Sequence, residues 1–260
     1  MSSVAIENYV ILNDIHFPFE DRTRYAVALN VMRDLAPSHI YLNGDIGEFL
    51  SVGTHPRHPA DPARLADELA YINKKFDELK ELFPDAKVTL IEGNHCYRFF
   101  RYIRDLAPQM WGVVEEMPTL LRFDERGWRF VTYGPTQIVK CGNSNLWLRH
   151  EPLGNGVSHA KTTAESSVVD LAYGHTHTWQ SYSHFKFGPS PYIVRAYSLG
   201  WLGDKSRPVF DYRGSKANWV EGMTHVECDP VTGDYTLNFI DLRKLPVLYR
   251  GERYSALTAI

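Results

Sequence analysis

Leu90-Ile91-Glu92-Gly93-Asn94-His95-Cys96 is the stretch on which the reading of this chain turns. Val88 to Ile91 is a short apolar run of the kind that forms a buried strand, and Gly93 ends it in a turn. An amide and an imidazole follow at the strand end, where the backbone is held rigidly. The Asn94 carboxamide oxygen is a neutral metal ligand. His95, one residue on, points elsewhere and can meet a substrate. Gly-Asn-His alone is a common loop tripeptide; its weight here comes from four other strand ends that carry ligand-type residues.

Upstream, Asn8 to Asn13 reads as a buried strand that delivers Asp14-Ile15-His16, and Pro18 forbids a simple continuation. Asp21 is the expected N-cap of a helix over 22–35, with Tyr25, Leu29 and Met32 near helical spacing and Pro37 beyond its end. His39 to Asn43 is the next strand and releases Gly44-Asp45. Strand, helix, strand and ligand-bearing loop make a βαβ unit with its functional residues at strand C-termini, as open α/β sheets require. Residues 51–62 read as a surface loop. Asp61-Pro62 is the expected cap of a helix presenting Leu65, Leu69, Ile72, Phe76 and Leu79 on one face, closed by Pro84.

Downstream of His95, residues 97–104 mix aromatic and basic side chains. They suit a helix that buries its rings, and Arg98 and Arg101 are candidates to contact a substrate phosphate. From Arg129 the texture changes to short β-like segments: 130–133, 137–141, 146–149, 168–173, 192–197, 223–227 and 235–240. They are expected to form a second, largely antiparallel sheet packed on the first. Two of them end in histidine, at His150 and at Gly174-His175-Thr176-His177. Residues 203–218 read as a long polar loop near the site or a partly disordered one. With no repeat or linker, a single domain over 1–260 is expected.

The totals are those of a soluble globular protein: 44% hydrophobic, 23% charged, net charge −3. That balance gives no general electrostatic case for a nucleic-acid polymer. Three cysteines without a CxxC pair argue against a disulfide framework and for a reducing compartment, hence the cytoplasm, or the host cytoplasm for a phage-encoded chain. No apolar run reaches membrane-spanning length, so no membrane partner is expected.

Asp14, His16, Asp45, Asn94, His150, His175 and His177 form a mixed oxygen and nitrogen ligand set. Such a set suits divalent Mn, Fe, Zn or Ni rather than Ca or Mg. It is too large for one ion and about right for two, with a carboxylate such as Asp45 able to bridge. Two ions so held lower the pKa of a bridging water and clamp two phosphoryl oxygens. A further imidazole is then needed to protonate the leaving oxygen, and His95 is the candidate.

In order and spacing, Asp14-Ile15-His16, Gly44-Asp45, Gly93-Asn94-His95, His150 and Gly174-His175-Thr176-His177 resemble the five motifs of the calcineurin-like metallophosphoesterase superfamily. The stretches 198–201 and 219–222 are similar to compact phage and bacterial members. The resemblance implies an α/β fold, a four-layer α/β/β/α sandwich of two mixed sheets flanked by helices, with metals at the strand C-termini. It implies one ion on Asp14, His16, Asp45 and His177, another on Asp45, Asn94, His150 and His175, and His95 as proton donor. The cofactors would be two divalent transition-metal ions, Mn first. Cys96 stands where the family usually has an acid; Glu48 is a stand-in for an acid of the second motif, and a populated Cys96 thiolate would make the protein sensitive to oxidation.

The activity expected is phosphodiester hydrolysis on a nucleotide or short nucleic acid, since the Arg98, Arg101 and Arg104 series with its aromatics could hold phosphate and stack bases. A phosphomonoesterase and a non-catalytic scaffold that keeps the fold are the alternatives. A homodimer is left open.

Overall fold

The structure, a computed structural model, describes residues 5–53, 64–211 and 217–256. Strands β1 (Glu7–Asn13), β2 (His39–Asn43) and β3 (Lys87–Ile91) run parallel, with Asn13, Asn43 and Ile91 level across the sheet. Their side chains alternate between two cores. Val10, Leu12, Ile40, Leu42, Val88 and Leu90 face the helices, while Tyr9, Ile11, Tyr41 and Ile91 face a second sheet. Burial on both faces is why these strands read as continuous apolar runs.

Helix α1 (Arg22–Leu35) begins as expected, with Asp21 Oδ1 accepting from the Arg24 N–H at 3.0 Å, and it ends on a left-handed Ala36 before Pro37. Helix α2 (Leu65–Leu82) buries Ile72, Phe76 and Leu79. Its expected cap at Asp61-Pro62 lies outside the described residues. Buried Glu68 of α2 accepts from the Leu50 N–H at 2.8 Å and so anchors the chain that follows Asp45. Helix α3 (Arg98–Leu106) follows the Asn94 turn, and two four-residue helices, α4 (Met117–Leu120) and α5 (Phe123–Arg126), lead to β4 (Arg129–Val131).

The second sheet is built from β5 (Val139–Lys140), β6 (Leu146–Arg149), β7 (Asp170–Tyr173), β8 (Trp179–Lys186) and β9 (Tyr192–Leu199), in the order β5-β6-β7-β9-β8. Helix α6 (His159–Ser166) covers its outer face through Ala164, against Tyr173 and Ala196. The layers are therefore helix, sheet, sheet, helix.

Strands β10 (Gly222–Cys228) and β11 (Tyr235–Asp241) depart from expectation: with β4 they join the first sheet, whose order is β11-β10-β1-β2-β3-β4. The second sheet is also mixed rather than largely antiparallel, because β6–β7 and β7–β9 are parallel. A hairpin, β12 (Val247–Tyr249) with β13 (Glu252–Tyr254), ends the described chain against α1. Among the described residues no helix is long and apolar enough to cross a membrane.

Candidate metal centre

Parallel strands in register end at one level, so the loops that leave them share one edge. Asp14 follows β1, Asp45 follows β2 and Asn94 follows β3; across the sandwich His150 follows β6, and His175 and His177 follow β7. The loops brace one another. The His16 N–H donates to the Asp45 carbonyl at 2.9 Å, the His95 N–H to Asp45 Oδ1 at 2.8 Å, and the Gly174 N–H to the His150 carbonyl at 3.0 Å. The His175 N–H lies 3.1 and 3.0 Å from the two Asp14 oxygens.

Two glycines allow this closeness. A Cβ at Gly93 would sit 2.2 Å from Asp45 Oδ1, and one at Gly174 would sit 2.3 Å from Asp14 Oδ2. The backbone also bends unusually here. Asp14, His16, Asp45, His175 and His177 have φ of 46, 55, 40, 65 and 59°, the left-handed region that non-glycine residues rarely adopt. Each such residue costs roughly 1–3 kcal/mol, and strain of this kind collects at functional sites.

The ligand-type side chains fall into two groups. In one, His16 Nε2 faces His177 Nε2 at 3.2 Å, with Asp14 Oδ1 3.4 Å from the latter. In the other, His150 Nε2 lies 3.2 Å from Asp45 Oδ2 and 3.1 Å from Asn94 Oδ1, while His175 Nδ1 lies 2.8 Å from that same Asn94 oxygen. All seven expected ligands are thus brought together.

The electrostatics follow from burial and neighbours. Burial holds the His177 imidazole down at about 4 against the pull of Asp14. At His150 burial also opposes charge, but Asp45 outweighs it and raises the imidazole to about 9. Burial works against the Asp45 carboxylate too, yet His150 and His95 hold it well below the usual range.

Glu48, fully buried, joins His16 of the first group to His95 in a third cluster. Its Oε2 is 2.7 Å from His16 Nδ1 and 3.0 Å from His95 Nδ1, the second an ion-pair distance without hydrogen-bond alignment. Arg98, the candidate to contact a substrate phosphate, is buried: its Nη1 donates to both the carbonyl and Oε1 of Glu48 at 2.7 Å, and its Nη2 lies 3.0 Å from His95 Nε2. Arg101 is exposed on α3. Cys96 is buried and burial pushes its thiol up to about 12, so the thiolate on which oxidation sensitivity would depend is not populated.

An aromatic wall backs the first group. Trp201 stacks on His177 at 4.7 Å, Trp219 meets it edge-on at 4.5 Å, and Phe210 lies 5.4 Å from His16. Phe210 belongs to the stretch expected to be a polar or disordered loop; it is fully buried. Only the isolated tryptophans hinted at this wall in the sequence.

The chain is similar in structure to several solved proteins. Vps29 from Cryptosporidium parvum matches at 12% identity and a TM-score of 0.43, over 95% of this chain and 94% of that one. Vps29 complexed with zinc from Entamoeba histolytica matches at 13% identity and 0.40, over 91% and 99%. The purple acid phosphatase PPD1 from yellow lupin seeds matches at 9% identity and 0.41, over 97% of this chain and 53% of that one. No family model and no curated protein matches the sequence.

Proposed function

We propose that the chain is a calcineurin-like metallophosphoesterase, a phosphoric ester hydrolase working with two divalent transition-metal ions. The observation that carries this reading is the convergence of Asp14, His16 and His177 in one group and Asp45, Asn94, His150 and His175 in another, at one edge of the sandwich. The arrangement fits cations. Ring nitrogens that face each other at 3.2 Å, as in His16 and His177, direct at least one lone pair into the gap between them. Carboxylate, carboxamide and imidazole donors without thiolate suit Mn, Fe, Zn or Ni, with Mn proposed first. When bound, such ions lower the pKa of water and neutralise phosphoryl charge.

The chain's own residues then have separate tasks. Glu48 and the Asn43 carbonyl take the Nδ1 sides of His16 and His150 and leave each Nε2 free to ligate. His95 is the proton donor to the leaving oxygen. A guanidinium can only donate, so with Arg98 Nη2 beside it His95 Nε2 is an acceptor in the resting arrangement. Phosphate drawing Nη2 away would free Nε2 to be protonated. Arg98 in this reading positions His95 and meets the phosphoryl group with the same end.

A diester of nucleotide size is the proposed substrate. Next to His175 and His177 lies a cleft of about 310 Å³ lined by Pro152, Asn155, His159 and Trp219. On the other flank Tyr133, Tyr97, Phe100 and Trp111 form a row with ring centroids 5.1, 5.9 and 4.8 Å apart, and exposed Arg101 lies on the helix of that row. Rings with a cation beside them suit bases and their phosphates.

The test is hydrolysis of bis(para-nitrophenyl) phosphate against para-nitrophenyl phosphate by metal-stripped protein reloaded with Mn, with His95→Ala as control. Diester cleavage well above monoester cleavage, falling by about 10²–10⁴ in the variant, is expected. Faster monoester cleavage would make the protein a phosphatase. Activity on neither, in protein that retains Mn, would favour the scaffold.

A further inference from the structure

We infer that the free edge of β8 is a self-association surface, pairing antiparallel with β8 of a second copy of the chain. Among the described residues the two large sheets have four outer strands, and they differ sharply. β5 has two residues and β4 three, while β11 has β12 packed beside it. β8 has eight residues, Trp179-Gln180-Ser181-Tyr182-Ser183-His184-Phe185-Lys186, and pairs on one side only, with β9. A long edge strand presents a row of unpaired backbone donors and acceptors. Proteins usually blunt it with charge, proline, a bulge or brevity. β8 has no proline, and its single charged side chain is at its last position.

The side chains along the middle of this edge, Ser181 to Ser183, are uncharged and open. Gln180 and Lys186 bond to the α6 side, through Gln180 Nε2 to the Val157 carbonyl and Lys186 Nζ to the Glu165 carbonyl. Trp179, on the opposite face, stacks on Phe239 of β11 at 4.2 Å. Between these attachments Ser181, Tyr182 and Ser183 are all exposed, so both faces of the strand are bare there. Phe185 is 58% exposed and its register partner Ile193 is 53% exposed, so an apolar pair stands in water.

The charge pattern admits a second copy of β8 in one orientation. Parallel pairing of two β8 strands would bring both Lys186 ammonium groups together. Antiparallel pairing about a two-fold axis near Tyr182 and Ser183 sends them to opposite ends, about 23 Å apart at ~3.3 Å per residue. Each Phe185 then falls against the Trp179–Ser181 end of the other copy. An isologous contact of this kind consumes both free edges and closes, so it stops at a dimer with a continuous ten-stranded sheet.

Light scattering of the full chain across a concentration series tests this. The expected mass rises to about twice the 29.9 kDa of the chain. Tyr182→Lys with Phe185→Lys should return it to a monomer with an unchanged circular dichroism spectrum. Single cysteines at Ser181, Tyr182 and Ser183 locate the axis, because paired antiparallel Cα atoms lie within disulfide reach. One of these positions should cross-link under mild oxidation, and cysteine at exposed Val231, in the β10–β11 turn, should not. A chain that stays monomeric up to roughly millimolar concentration would overturn the inference. So would a dimer that survives the double lysine variant, or cross-linking at Val231 as efficient as at β8.

Discussion

At the scale of the residue, the centre depends on groups that do no chemistry. Gly174 follows β7 of the second sheet, yet what its missing side chain makes room for is Asp14, which follows β1 of the first. Gly174→Ala must push Asp14 or its own loop aside, since the nearest atoms are a carboxylate oxygen at 2.3 Å and the Asn43 carbonyl at 3.2 Å. The expected outcome is a loss of at least half of the Mn retained per chain after gel filtration, read by elemental analysis. Gly188→Ala, where a Cβ meets nothing within 4 Å, is the control. Equal Mn retention by both variants would show that Asp14 needs no such clearance. The motif residues themselves were legible in the sequence, because an apolar run that stops at a glycine followed by Asp, Asn or His has a direct chemical reading. The Glu48–Arg98 ion pair was not, because Arg98 on a basic, aromatic helix reads equally well as a solvated cation. Its burial is set by the turn at Asn94, which no periodicity encodes.

At the scale of the element, local signals served well where one side chain acts on its own backbone. Asp21 caps α1 by accepting from the Arg24 N–H, and Asp21→Ala should cost about 1 kcal/mol, within a range of roughly 0.5–2. A shift of the urea midpoint at unchanged slope would report it, and no shift would mean that the cap adds nothing. Strand partnership was harder to read. Residues 223–227 and 235–240 show strand character, but alternation says which face is buried and not which sheet supplies the neighbour. Pairing of β1 with β10, Glu7 opposite Cys228 through Ile11 opposite Thr224, spans more than two hundred residues of chain. β8 escaped notice for a related reason: with Ser181, Tyr182 and Ser183 successive and open on both faces, it lacks an apolar side to announce it.

At the scale of the whole molecule, two histidines far from the centre tie stability to pH. Burial, with Lys87 and Arg129 nearby, holds His39 at about 4; burial, with Arg250 nearby, does the same for His225. Both are neutral in the folded chain, and both take up a proton on unfolding near the ordinary value of 6.5. The unfolded state binds more protons in that window, so stability rises with pH across it. The contribution is complete above about pH 6.5 and is lost as pH falls through about 4. The melting temperature of Mn-loaded protein should fall by roughly 5 °C or more from pH 6.5 to 4.5, and by less in a His39→Gln, His225→Gln variant. Parallel curves for the two proteins would remove these residues from the account.

The placement of β10 beside β1 also bears on how the protein is made. Every proposed ligand has left the ribosome once residue 177 has emerged, but β1 keeps one bare edge until residues 222–228 follow. During that interval a nascent chain would carry a complete set of metal donors on an unfinished sheet. Acquisition of the proposed ions is therefore expected to await the emergence of β10, and the open flank of β1 is where a chaperone would have most to protect during synthesis.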